Sequence, residues 1–350
     1  MSGFGHSGLR NRQRGGAVKS ILLFLAGLIL LAAIAVGAGG YLGYRAATGP
    51  GPLAQNTIVL LPAGSAVSTI ADQLASAGVI KHPELFIAAV RLRGVQSEVK
   101  AGEYEIPAKA SVMDVIDLLI EGKSILHYFT AAEGLTTAQI LRLLNADETF
   151  VGEVTIDPGE GELLPETYAH SRGETRDDLV RRMMKDQDAL VDALWNDRAL
   201  ELPFSTPEEA IILASIVEKE TALPEERERI AGVFVNRLNR GMRLESDPTI
   251  IYGLTGGEPL GRGLRQSELR GETPYNTYII RGLPPTPIAN PGRDSIAAVL
   301  NPMETDDIFF VADGTGGHAF AATLREHQAN VAQWRRIERE RANAQTSEGG

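Results

Sequence analysis

The stretch from Ile21 to Tyr44, ILLFLAGLILLAAIAVGAGGYLGY, contains no charged residue, and no other segment limits so strongly what this chain can be. It is longer than the ~20 residues a helix needs to cross the hydrocarbon core of a bilayer. It also exceeds the roughly 7–15 apolar residues of a cleavable export signal. Arg10, Arg12, Arg14 and Lys19 lie among residues 1–20, which hold no acid. The positive-inside rule therefore leaves residues 1–20 in the cytoplasm and sends the remainder across. Tyr41 and Tyr44 suit the outer interface. Two alternatives compete: a buried core helix, which would meet a charge sooner, and removal at a small-x-small site such as Ala33-Ile34-Ala35. We read residues 21–44 as an uncleaved, single-pass transmembrane helix in the inner membrane, whose lipid bilayer is the first partner of the chain. The rest is extracytoplasmic, on the periplasmic side.

Charge narrows the class of partner. The formal net charge is −11 and the basic residues at the N-terminus make the body more acidic still. An acidic body argues against nucleic acid, whose phosphates demand a basic face. The absence of cysteine excludes thiolate metal sites, disulfide frameworks, cysteine nucleophiles and a lipidated N-terminal cysteine. The exported part must hold itself together by core packing, and with 43% hydrophobic residues it can.

Residues 45–55, with Gly49, Pro50, Gly51 and Pro52, read as a linker. Residues 56–122 read as a small α+β module: a strand at Thr57–Leu61, a helix capped by Ser65 and stopped by Gly78, a helix from Pro83 to Arg93, a short strand around Gly102–Pro107, and a helix Val112–Glu121 capped by Ser111 and stopped by Gly122. Residues 123–341 form the larger mixed α+β domain. It begins with a strand at His127–Thr130, the phrase Glu133-Gly134-Leu135 and a helix Thr136–Asn145. A loop at Gly159–Tyr168 and a long amphipathic helix at Asp177–Leu194 follow. A charged helix at Arg325–Arg341 closes the domain, and residues 342–350 read as a frayed tail.

The segment with most chemical promise opens at Thr206-Pro207-Glu208-Glu209, an N-cap followed by proline in the first turn and acids at the positive helix end. It continues as AIILASIVEKET, whose apolar residues point in every direction, so this helix is buried all round. Glu218 falls on the stripe of Ile211 and Ala214, and Glu220 on that of Leu213, Ile216 and Val217. Both acids emerge at the end of a buried helix, where desolvation raises a carboxyl pKa toward the range of a general acid. The alternative is a pair of structural carboxylates held by Arg237, Arg240 or Arg243. RIAGVFVNRL is a second amphipathic helix, ended by Gly241. The segments Leu244–Gly253, Thr273–Tyr278, Gly282–Ile288, Ile308–Ala312 and Gly314–His318 read as turn-rich loops, mixing rings, amides and hydroxyls as sugar sites do.

The phrases LASIVEKET, VFVNRL, GMRLESDPTIIYGL, ETPYNTY, GLPPTPIANPG and FFVADGTGGHAF, in that order, resemble the YceG-like family of endolytic murein transglycosylases. The likeness runs from the anchor to about Trp334. In LPETY, Glu166 stands where the family more usually has aspartate, which keeps the charge. The module 56–122, through IVLLPAGSAVSTIADQLASAGVI and KAGEYEIPAKASVMDVIDLL, is similar to a LysM-like subdomain; a spacer is the other reading. The resemblance implies that Glu218, the first glutamate of SIVEKET, is catalytic.

It further implies a lyase that works with one carboxyl and needs neither metal nor cofactor; the histidines, among them His318, are scattered. Glu218 would protonate the glycosidic oxygen between N-acetylmuramic acid and N-acetylglucosamine. It would then take the proton of the muramyl C6 hydroxyl as that closes a 1,6-anhydro ring, with the substrate's acetamido group stabilising the developing charge. Tyr275, Asn276, Thr277, Tyr278 and His318 are the candidate sugar contacts, with a place in a turn or core as the alternative for each. Peptidoglycan glycan strands are the implied substrate, internal cutting and termination of nascent strands the implied role. Peptidoglycan synthases or divisome proteins are the implied protein partners. Two other readings stand beside this one: a non-catalytic peptidoglycan-binding scaffold, and a hydrolase pairing Glu218 with Asp247 or Glu220.

Overall fold

Capping residues and stop glycines set several helix boundaries in the computed structural model, which describes residues 12–62 and 64–348. The chain divides after Leu126 into two compact units.

The first unit opens with α1 (Arg12–Thr48). Within it Lys19–Thr48 is long and apolar enough to cross a membrane, and its large apolar side chains are exposed, while Ala47 is buried. The helix overruns the uncharged stretch at both ends. At its C-terminal end it takes in the start of the expected linker, because Arg45, Ala46 and Ala47 are compatible with helix and the first breaker is Gly49. The expected cytoplasmic segment lies outside the described residues as far as residue 11. Then come β1 (Thr57–Leu61), α2 (Val67–Ser76), α3 (Pro83–Arg93), β2 (Gly102–Ile106) and α4 (Val112–Glu121). β1 and β2 are antiparallel, with Thr57 opposite Ile106 and Leu61 opposite Gly102. Leu61, Leu74, Phe86, Tyr104, Ile116 and Leu119 form the core between this ribbon and the helices. Ser111 caps α4 through a reciprocal box with Asp114. α2 departs from expectation: its N-cap is Ala66, without a side-chain bond, and Ser65 stands one residue too early.

The second unit runs β3 (Leu126–Thr130), α5 (Thr137–Ala146), β4 (Thr167–Ser171), α6 (Arg176–Asn196), α7 (Pro207–Glu220), α8 (Pro224–Asn239), α9 (Asp247–Thr255), α10 (Gln266–Leu269), α11 (Arg293–Leu300), β5 (Phe309–Ala312), β6 (His318–Ala321) and α12 (Leu324–Glu348). β3 pairs with β4, and β5 is antiparallel to β6 with Phe309 opposite Ala321. The unit has two cores. Phe129, Ile140, Leu144, Leu163, Leu179 and Met183 bring together β3, α5 and α6. Leu213, Ile216, Val217, Ile230, Phe234 and Val299 bring together α7, α8 and α11.

Two segments expected as loops are regular. Asp247–Thr255 is a helix, with Pro248 in its first turn and Gly256 in the left-handed conformation at its end. Phe309–Ala312 and His318–Ala321 are the arms of a hairpin around Gly314 and Gly316, both at positive φ. Within the expected loop 159–168, Thr167 and Tyr168 already belong to β4. α12 continues past Arg341 to Glu348, so the expected tail is helical as far as it is described.

Helix α7 behaves as its pattern predicts. Residues from Ala210 to Val217 are buried except for a half-buried Ile212. It packs on α6, α8, α9 and α11. Thr206 and Glu209 close a capping box at its start, each accepting from the other's backbone N–H at 3.3 Å. Replacing Thr206 with Ala leaves orphan amides at this end and should cost about 1 kcal/mol. The expected outcome is a melting temperature lower by roughly 2–4 °C, read by calorimetry; an unchanged melt would show that the cap contributes nothing here.

Candidate active site

The end of α7 decides the site. Thr221 leaves the helix with an extended backbone, so Glu218 and Glu220 occupy its last turn. Two residues apart on a helix are roughly 200° apart around its axis, so the acids face different surroundings.

Glu218 is half-buried, and its Oε2 accepts from the Gly292 N–H at 3.0 Å. Gly292 is the N-cap of α11. The strand of chain just before it is zipped to Glu133-Gly134-Leu135: the Gly134 N–H donates to the Asn290 carbonyl at 3.0 Å, and the Asn290 N–H to the Leu135 carbonyl at 2.9 Å. Asn290 is fully buried, and its side-chain amide donates to Leu135, Thr137 and Glu160 while its oxygen accepts from the Leu163 N–H. Lys219 Nζ donates to the Gly134 carbonyl at 3.0 Å. Two glycines lie in this seam, one for its backbone conformation and one against a side chain. Gly134 sits at φ +73, and a Cβ on it would lie 3.5 Å from Glu218 Cγ. A Cβ on Gly292 would run into the Glu133 carboxyl.

Glu220 lies in a different setting. Its Oε1 accepts from Ser246 Oγ at 2.5 Å. Burial pushes its carboxyl up to about 7, with the Ser246 hydrogen bond opposing and Asp247 adding to the rise. His318 and Arg237 lower it through space. Arg237 does not hold it as a salt-bridge partner: its guanidinium pairs with Glu245 at 3.1 Å and donates to the carbonyls of Arg243, Leu244 and Ile308. Tyr278 Oη donates to Asp247 Oδ1 at 2.8 Å, and burial with Asp247 beside it raises the phenol. His318 is clamped by Glu226, which accepts from its backbone N–H at 2.8 Å and from its Nδ1 at 2.7 Å.

The sequence-predicted contacts divide accordingly. Tyr278 and His318 stand by Glu220. Tyr275 is half-buried, edge-on to Tyr252 at 5.0 Å, with its hydroxyl 2.8 Å from Thr286 Oγ1. Tyr252 in turn donates to Glu160, whose carboxyl burial raises. Asn276 and Thr277 do not present themselves to a glycan. Both are fully buried. The Asn276 amide braces the carbonyls of Glu268, Leu269 and Gly271, and Thr277 Oγ1 accepts from the Ser246 N–H at 2.9 Å. Small polar residues in a turn solve the turn's own hydrogen bonding first, and here that need takes both. Sequence reasoning missed Gly292, Ser246 and Glu226, which lie far from Glu218 in sequence or within unremarkable stretches. Glu133 was visible only as part of a phrase. Among the described residues no group of three or more His, Asp or Glu is arranged to hold a metal ion.

A model of the YceG-like family matches residues 59–333. The chain belongs to the YceG-like family. It is 30% identical to an endolytic murein transglycosylase of Streptococcus pneumoniae over 89% of this chain, a match that spans 64% of the relative's length. It is 31% identical to an endolytic murein transglycosylase of Bacillus subtilis over 76% of this chain and 81% of that one. A YceG-like protein from Listeria monocytogenes, known from its crystal structure, is 27% identical; it covers 79% of this chain and 98% of its own, with a TM-score of 0.51. The fold of the YceG-like chain described here is thus shared with a solved relative.

The environment of Glu220 sets a pH dependence. Its carboxyl is raised from an ordinary value of 4.5 to about 7, so the folded protein binds a proton there that the unfolded chain releases earlier. Stability from this group is full below about 4.5 and falls as pH rises through 7. Glu220→Gln should flatten the fall of melting temperature across that interval. Equal slopes for the variant and the parent would show that Glu220 is not the group responsible.

Proposed function

We propose that this chain is a membrane-anchored lytic transglycosylase that cuts peptidoglycan glycan strands with Glu218 as its acid and base. The observation that carries the reading is the position of Glu218 at the end of the buried helix α7, held by one backbone amide, in a chain of the YceG-like family. The relatives named endolytic murein transglycosylase supply the substrate class. In the reaction Glu218 gives its proton to the oxygen between N-acetylmuramic acid and N-acetylglucosamine, whose bond to C1 breaks. The acetamido group of the substrate shares the positive charge. The ionised carboxylate then removes the C6 hydroxyl proton, and that oxygen bonds to C1, leaving a 1,6-anhydro end without consuming water. Internal cutting of this kind would end the growth of nascent strands, next to the peptidoglycan synthases or divisome proteins that make them.

The apolar span Lys19–Thr48 supports an inner-membrane anchor with a cytoplasmic N-terminus and the catalytic unit outside. The β1-α2-α3-β2 order, with its antiparallel strand pair, supports a LysM-like reading of residues 56–122, as glycan binder or as spacer. Tyr275, Tyr278 and His318 remain the candidates for sugar contact.

A second reading has one observation in its favour. Glu220, raised to about 7, is itself suited to carry a proton near neutrality, as the acid of a hydrolase would. The two are separated by mass spectrometry of peptidoglycan treated with the full-length protein in detergent. Glu218→Gln should lose at least ~10²–10⁴-fold in anhydro-muropeptide yield, because one group serves both proton transfers. Its melt should stay close to the parent's, while Glu220→Gln keeps measurable turnover. A folded, inactive Glu220→Gln beside an active Glu218→Gln, or reducing ends in place of anhydro ends, would overturn the lyase reading.

A further inference from the structure

The amide that holds Glu218 belongs to Gly292, and the chain on the two sides of that glycine is held by different means. On the N-terminal side, Asn290 fixes it to Gly134 and Leu135 through its backbone and its side chain. On the C-terminal side the fixing group is a cation from another helix. Arg227 of α8 is buried, and its guanidinium pairs with Asp294 at 3.1 Å and with Glu133 at 3.6 Å. Asp294 stands in the first turn of α11, two residues beyond Gly292. The Glu133 carboxyl turns Oε2 to Arg227 and sets Oε1 where a Cβ on Gly292 would be. One guanidinium thus grips both neighbours of the glycine whose N–H donates to Glu218.

We propose that Arg227 is a positioning residue of the reaction: by bridging Asp294 and Glu133 around Gly292, it holds that amide against Glu218 Oε2 and so fixes the orientation of the reacting carboxyl. The proposal rests on the reading of Glu218 as the acid and base.

Helix α8 packs on both α7 and α11, so Arg227 stands on an element common to Glu218 and Gly292. A cation beside a helix N-terminus opposes the helix dipole, and a buried one loses its hydration. Among the described residues its Nε has no hydrogen-bond partner, so the two carboxyls are what offset that burial. An apolar side chain of similar length would fill the same space without either cost. The partners do not need the guanidinium for their own sake: the side chains of Glu133 and Asp294 remain 44% and 65% exposed. What the bridge adds is the placement of the main chain between them. A planar guanidinium reaches two carboxyls in a fixed geometry, which suits it to that task. With Oε2 on the Gly292 amide, Oε1 is the oxygen left to give and take the proton. Misplacing a reacting group by about 1 Å lowers a rate by ~10²-fold, so the direction of this one hydrogen bond bears on turnover.

The test is made on the full-length protein in detergent. It combines steady-state cleavage of soluble, uncrosslinked glycan strands with hydrogen exchange of the peptide containing Gly292, read by mass spectrometry, and with thermal melts. Arg227→Met keeps the length of the side chain and leaves two partners that water can solvate, so it should fold. Its kcat should fall about 10²-fold with KM little changed, and the Gly292 peptide should exchange faster than in the parent. Asp294→Asn, at an exposed position, releases one arm of the bridge and should lower kcat in the same direction. Combining it with Arg227→Met should cost no more than Arg227→Met alone, because both act through one bridge. Asp294→Asn decides the matter if Arg227→Met does not fold. An unchanged kcat in the folded variants, a rise in KM alone, fully additive losses, or parental exchange at Gly292 overturns the proposal. Activity surviving in Glu218→Gln would instead overturn the reading on which it rests. Exchange at Gly292 needs no turnover, so the two failures are told apart.

Discussion

Everything around the site depends on one requirement: a helix apolar on all its faces must be covered on all of them. Leu213, Ala214, Ile216 and Val217 leave α7 no solvent side, and α6, α8, α9 and α11 supply the cover. Apart from Ser215, whose hydroxyl donates to the Ile212 carbonyl and accepts from the Ile288 N–H, a helix so enclosed places its polar side chains at its ends. The N-terminal end is closed by its own capping box, and the C-terminal end delivers Glu218, Lys219 and Glu220 to the surface of the core. Burial thus fixes where the chemistry can be before any specific contact is considered.

The same helix end separates two acids by environment. Glu218 meets a backbone seam made by glycines, and Glu220 meets a hydroxyl, an imidazole and a buried guanidinium. One helix turn thus presents two acids to quite different neighbours. Of the two, burial shifts the titration of Glu220 upward.

How far the sequence could be read follows from which forces act locally. The capped helices were legible because their determinants lie within a few residues: Ser111 with Asp114, Thr136 with Gln139, Thr206 with Glu209, each closed by a reciprocal box. The buried character of α7 was legible from its apolar residues alone. α9 was not, because Asp247-Pro248-Thr249 looks like a turn unless proline is taken as a first-turn residue, and neither was the β5–β6 hairpin, whose arms are four residues each. Asn276 and Thr277 were open to two readings for a different reason. Their residue types suit a glycan and suit a turn equally, and only the position of Ser246 and of the loop at Glu268–Gly271 shows that both are used inside the protein. Glu133 and Gly292 are far apart in sequence, and no local pattern connects them.

The glycine seam has a consequence for the order in which the protein is assembled. Its parts are drawn from Glu133–Leu135, from the end of α7 and from Asn290–Gly292, so the hydrogen bonds from Asn290 and Gly292 span most of the second unit. Contacts between residues so distant along the chain form late in folding, after local helices and turns. A partly synthesised or partly unfolded chain therefore has its local helices before it has the seam that holds the Glu218 carboxyl.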